Sequence, residues 1–248
     1  MARVDDLRQL HGEAMRLARE KIAESLASKD MDLVQAARSL DDLNEAFNII
    51  SERLAEWYGI HNPEKRLRPV ELIEHILEES SERRLPEMVA AINDDDLNAI
   101  QGVAQTARTL FWQKRALEDY IDKTMLELAP NLSTVMGPTL GARLISQAGS
   151  LEKLARMPAG SIQVMGAGEA LFKHLRLGTP SPKHGLIYKH PLISGAPKKA
   201  RGKIARMLAG KTAIAARVDY YSGERVDFGD LKAKASMIKS RSRGGKKP

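Results

Sequence analysis

A chain of 248 residues with 43% apolar content and a formal net charge of +7 has room for one or two domains with real cores. Its lack of cysteine excludes disulfides, thiolate nucleophiles and Cys-based metal sites, and its six histidines (His11, His61, His75, His174, His184, His190) include no HExxH zinc spacing. No window approaches the roughly 18 uninterrupted apolar residues of a spanning helix, and MARVDDLRQL has no signal-peptide core, so a cytoplasmic protein without membrane, metal or cofactor is expected.

The net charge hides a division. Residues 1–130 hold 17 Lys and Arg against 26 Asp and Glu, net −9, whereas residues 131–248 hold 22 against 6, net +16. Halves of opposite sign suggest separate jobs, and a strongly basic half suggests an anionic partner.

In chain order, residues 1–32 read as a linker helix. From 33 to 57 a heptad runs through Leu33, Leu40, Phe47 and Leu54, with Ala36, Leu43, Ile50 and Trp57 three residues after each, and it is expected to stop at Gly59 and Pro63 in WYGIHNPE. A shorter helical stretch, PVELIEHILEESSERRLPEMVAAIN, is capped or kinked at Pro86. A second seam follows through Ile100, Val103, Ala107, Leu110, Leu117, Ile121 and Leu128, interrupted by Lys114 and Thr124 and closed by Pro130. Two long helices joined by a short one make an antiparallel hairpin over residues 33–128. Its apolar stripe exceeds what one copy can bury, so a homodimer is expected through Leu40, Phe47, Ile50, Leu54, Leu110 and Leu117.

From Asn131 the texture turns to glycines and small residues at helical spacing. GLIYKHPLI alternates like a strand, but Pro191 demotes it to a loop or edge. No nucleotide loop, nucleophile elbow or carboxylate pair occurs; the GAG at 166–168 follows no convincing strand and lacks the third glycine. The chain therefore reads as a non-enzyme. The final KSRSRGGKKP reads as part of a basic, disordered tail over residues 236–248.

PKKARGKIARMLAGK, residues 197–211, carries Lys199, Arg201, Lys203 and Arg206 among its cations and no acid. On a helix Lys199, Lys203 and Arg206 share one stripe while Ile204, Leu208, Ala215 and Val218 line another, leaving a bare cationic face over an apolar one. Upstream, ALFKHLRLGTPSPKHG adds Lys173, His174, Arg176, Lys183 and His184. Phe172, between Leu171 and Leu175, reads as core rather than as a base-stacking ring, and with 4% aromatics phosphate and shape readout are favoured over base stacking.

Four stretches carry a more specific signal. MGAGEALFKHL, PKHGLIYKHPLI, RGKIARMLAGKTAIAARVDYYSGE and SLDDLNEAFNIISERLAEWYGIHNPE closely resemble the archaeal Nop-domain core protein of box C/D small ribonucleoprotein particles, over about residues 1 to 230. The resemblance implies an all-α protein in which a coiled-coil dimerisation hairpin precedes a Nop domain, here residues 129–235. That domain is expected to read box C/D guide RNA and its kink-turn-binding, ribosomal-like protein as one composite surface. In such particles fibrillarin performs 2′-O-methylation with S-adenosylmethionine and this chain is the scaffold. Fibrillarin is expected as a partner where the family's N-terminal docking domain is present; this chain starts at the linker-like VDDLRQLHGEAMRLAREKIAES.

Residues and resemblance together put RNA and partner binding on Gly166, Ala167, Glu169, Phe172, Lys173, Arg176, Lys183, His184, Lys199, Arg201, Lys203 and Arg206. One departure stands out: the family's acidic-then-basic pair after Gly-Ala is Gly168 and Glu169 here, so a cation is missing there. The alternative is a coiled-coil adaptor whose basic half binds nucleic acid without specificity.

Overall fold

The computed structural model describes residues 2–26, 29–78 and 92–243. Among the described residues there are twelve α-helices, one 3₁₀ turn and no strand, the all-α class that the resemblance implies. The chain divides into two compact units, one of residues 38–120 and one of residues 1–37 with 121–248.

In the 38–120 unit, α2 (Lys29–His61) and α4 (Asp94–Leu128) run antiparallel, with Phe47 facing Phe111 at 6.0 Å, and α3 (Pro69–Glu78) closes on them. Phe47, Leu54, Tyr58, Leu72, Ile73, Ile76, Ile100, Ala104 and Ala107 form the core. Each fully buried Leu or Ile contributes about 1.5–3 kcal/mol to holding the three helices together. Asn93 caps α4, its Oδ1 accepting from Asp96 N at 2.7 Å, and Gln101 donates to the Ile76 carbonyl at 3.0 Å.

The buried stripe of α2 differs from the heptad read in the sequence. Burial follows Leu33, Ala37, Leu40, Phe47, Ser51, Leu54 and Tyr58, whereas Leu43, Ile50 and Trp57 are half-exposed. Ala36 and Ala37 are both buried in the first repeat, Leu43 and Asn44 are alike half-exposed in the second, and from Phe47 on the buried partner lies four residues later, at Ser51 and Tyr58, where the polar Ser51 conceals it from an apolar count. Of the expected dimerisation residues, Leu40, Phe47 and Leu54 are buried inside one copy, whereas Ile50, Leu110 and Leu117 are partly exposed. Lys114 does not interrupt the seam but lies over the Phe47 and Phe111 rings, 5.3 and 5.9 Å from their centroids. Gly59 is helical, α2 ending at His61 instead; Pro86 lies outside the described residues.

The other unit includes α1 (Ala2–Leu26), the start of α2 and the end of α4, where Lys29 pairs with Glu127 at 3.3 Å. It continues as α5 (Pro130–Met136), α6 (Pro138–Ala148), α7 (Leu151–Arg156), α8 (Ala159–Val164), α9 (Gly168–Leu177), a 3₁₀ turn (Leu186–Lys189), α10 (Pro191–Ser194), α11 (Lys198–Tyr221) and α12 (Leu231–Arg243). Helix α11 is the axis: its Ala200, Ile204, Ala205, Leu208, Ala209, Thr212 and Ala216 are buried, and α5, α7, α8, α10 and α12 pack around it. So many alanines let neighbouring backbones approach closely. Side chains then tie helix ends together. Asp30 accepts from Leu151 N at 2.9 Å at the start of α7, and Arg217 donates to the Ala155 carbonyl at 3.0 Å at its end.

Two expectations are corrected here. GLIYKHPLI is neither strand nor loop but the 3₁₀ turn and α10, since His190 Nδ1 accepts from Leu192 N at 3.2 Å and Pro191 occupies the first helical turn. The tail taken as disordered from residue 236 is helical through Arg243: Ala235 of α12 is buried, and the preceding Phe228 sits beneath Lys211. Residues 244–248 lie outside the described residues.

Candidate nucleic-acid interface

The interface begins with a backbone clasp. Gly185 N donates to the Gln163 carbonyl at 2.9 Å, Leu186 N to the Met165 carbonyl at 2.7 Å, and the Gln163 side-chain amide to the Lys183 carbonyl at 2.7 Å. These bonds hold the 178–186 segment against the end of α8. The approach is so close that a Cβ on Gly185 would lie 2.0 Å from the Met165 carbonyl oxygen, which only glycine avoids.

The clasped segment lies along the first turns of α11. Its Lys183 side chain faces Gly202, where a Cβ would meet Cβ of Lys183 at 3.4 Å, in ordinary contact. The result is an open groove of about 450 Å³ lined by Gln163, Ser181, Pro182, Lys183, Lys199, Gly202, Lys203 and Arg206. Lys183, Lys199, Lys203 and Arg206 thus converge from two elements distant in sequence. None of the four makes an ion pair among the described residues. Uncompensated cations at such spacing repel one another, and an anion in the groove relieves the repulsion.

His184 and Arg201 sit elsewhere. The His184 ring stacks on Tyr188 at 4.6 Å, and the Arg201 guanidinium lies over Tyr188 at 5.3 Å while donating to the Ala196 carbonyl at 2.8 Å. Burial, then the Arg201 and Lys183 charges, holds His184 below the usual histidine range.

The remaining sequence-derived residues belong to α9. Gly166 and Ala167 make the turn before it, Glu169 is in its first turn, and Lys173 and Arg176 are exposed. Helix α9 buries none of its residues. Phe172, expected in the core, is 55% exposed and Leu175 75%, a correction that follows from α9 standing off the domain; Arg176 lies over the Phe172 ring at 4.8 Å. The predicted residues therefore form two groups, a cationic groove and an amphipathic α9 surface. Gln163 and Ser181 were missed, since nothing in their identity marks them as neighbours of α11, and so was Gly202 of α11 itself. Arg217, further along α11, is committed to the Ala155 and Met157 carbonyls.

Among the described residues no cluster of His, Asp or Glu could hold a metal ion, and no helix is long and apolar enough to cross a membrane. The fold and the groove define an all-α protein that combines a helical hairpin with a basic, anion-ready domain. The family model for Nop, described as snoRNA binding domain, fibrillarin, matches residues 65–240, and the chain belongs to the Nop family. A NOP5 family protein of Methanocaldococcus jannaschii is 40% identical over 242 residues, covering 86% of this chain and 58% of that protein. Nucleolar protein 58 of Saccharomyces cerevisiae is 34% identical over 245 residues, covering 89% of this chain and 48% of that protein. The chain spans about half the length of the curated relatives it matches. A solved fibrillarin/Nop5p complex contains a chain of similar fold, with a TM-score of 0.54 at 27% identity over 96% of this chain and 78% of that one.

Proposed function

We propose that this chain is a non-catalytic scaffold of a box C/D ribonucleoprotein that guides 2′-O-methylation of RNA. The observation that carries the reading is the convergence of Lys183, Lys199, Lys203 and Arg206 in one groove without carboxylates, in a chain of the Nop family. Phosphates of the guide RNA occupy the groove, and the exposed apolar and cationic surface of α9 receives the kink-turn-binding protein together with its RNA. The methyl transfer belongs to fibrillarin, named with Nop5p in the related complex. The chain pairs with a second copy through exposed rather than buried positions of its hairpin, Trp112 foremost.

The decisive experiment compares Lys203→Ala with Arg206→Ala, combined in one variant, on naked RNA and on RNA carrying the kink-turn protein. Ternary assembly should weaken more than naked-RNA binding. Equal losses would favour the alternative, an adaptor that binds nucleic acid without specificity, because phosphate contacts alone carry no partner information.

A further inference from the structure

We propose that an RNA strand leaving the cationic groove is met a second time on the same helix, at its far end, by a base-stacking platform of Tyr221, Tyr220 and Arg156. The proposal rests on reading the groove as an RNA contact, and it adds a site for bases to one for phosphates.

At 100° per residue, Lys199, Lys203, Arg206, Gly210, Arg217 and Tyr221 fall within about 40° of one line along α11. The cationic end and the aromatic end thus share a face. Tyr220 and Tyr221 are 42% and 65% exposed, and their rings meet edge to face at 4.8 Å and 80°. Exposed paired aromatics at the end of a core helix contribute little to the fold; π surface left open to water is what unstacked bases cover.

The charge at this end fits the same ligand. Arg156 of α7 pairs with Glu152 at 2.5 Å and stays exposed, and Tyr221 and Glu152 both raise its pKa, so a guanidinium is held close to the rings. Arginine so placed both stacks on a base and meets a phosphate. Between the two ends, Gly210 has no side chain and the Arg217 head is turned onto the α7 carbonyls, so the path carries no further free cation on this line.

Fifteen residues separate Arg206 from Tyr221, about 22 Å of helix, or about six nucleotides at a stacked rise of about 3.4 Å. A strand anchored by phosphates at the groove reaches the tyrosines only if it continues single-stranded, so the site selects for RNA with an unpaired extension.

The test uses the full chain with a stem–loop RNA carrying a ten-nucleotide uridine tail and with the same stem–loop without it, both at low salt. Tyr220→Ala with Tyr221→Ala should weaken binding of the tailed RNA about five- to hundredfold and leave the tailless RNA unchanged, while the paired Phe substitutions retain tail binding. With 4-thiouridine in the tail, photo-crosslinks should map to residues 220 and 221. If the Ala pair binds tailed RNA as tightly as the parent, or the crosslinks fall elsewhere, the platform is overturned while the groove stands. If Lys203→Ala with Arg206→Ala leaves both RNAs bound as before, the groove reading itself fails, and circular dichroism of each variant separates lost folding from lost contact.

Discussion

The Asp219 carboxylate of α11 accepts hydrogen bonds from both nitrogens of Asn131, the backbone N–H at 3.0 Å and the side-chain amide at 2.7 Å, and from Leu132 N at 2.8 Å. Asn131 in turn donates to the Glu224 carbonyl and accepts from Val226 N. One buried acid therefore serves as N-terminal cap of α5 and as the tie for the chain leaving α11. Asp219→Ala strands these donors and should cost about 3 kcal/mol, seen as a fall in melting temperature of about 6–12 °C, with Asp219→Asn intermediate.

Gly185→Ala places a methyl against the Met165 carbonyl and should break the clasp. The global melting transition should fall by only a few degrees, because α11 retains its packing. Hydrogen exchange at the amides of Gly185 and Leu186 should accelerate markedly, and affinity for RNA should drop with Lys183 displaced.

His190 sets a pH dependence. It is half-buried, and burial holds its pKa below the ordinary 6.5 although a hydrogen bond with the Val135 backbone acts the other way. Its Nδ1 accepts from Leu192 N, which requires the neutral ring. A depressed folded-state value means the neutral form is favoured by folding, so the stabilisation is complete above about pH 6.5 and is lost as pH falls through the lower folded value. His184 is shifted in the same direction and adds to the effect. Urea unfolding followed from pH 7.5 to 5 should show falling stability, with a shallower slope in His190→Asn.

Four groove cations meeting four phosphates give a slope of log affinity against log salt of about −3. Lys203→Ala with Arg206→Ala should make it shallower by about 1.5. Filter-binding titrations from 50 to 300 mM salt measure both, and a flat dependence in the parent would remove phosphate contact as the main source of affinity.

Self-association is expected to respond to exposed rather than buried hairpin residues. Trp112 is 61% exposed and meets Phe111 edge to face at 5.4 Å, so Trp112→Ala should raise the dimer dissociation constant about tenfold or more in sedimentation. Leu40→Ala should instead lower stability with the mass in solution unchanged, since Leu40 is interior to one copy.

Helices were legible wherever spacing and breakers agreed: the second seam, read to close at Pro130, is α4, which ends at Leu128. The exact face of α2 was not, because its buried line passes through Ser51, whose polarity hides it from an apolar count. The cations of α11 could be placed on one stripe from their numbers alone. That Lys183 joins them could not, since the turn that delivers it depends on backbone bonds from Gly185 and Leu186 that any sequence of similar composition could make elsewhere. Phe172 misled for a related reason: its helical pattern is that of a packed helix, and only the tertiary arrangement leaves α9 standing free.

The clasp between α8 and the 178–186 segment also bears on the entropy of recognition. A loop of cations in a free chain would pay for its own ordering each time a strand arrived, about 0.5–1.5 kcal/mol for every long side chain immobilised and more for the backbone beneath. Here Gly185, Leu186 and Gln163 have settled the backbone during folding, so an incoming strand orders only side-chain tips. Association should accordingly be fast and nearly independent of any conformational step, with calorimetry showing a heat-capacity change no larger than the surface covered.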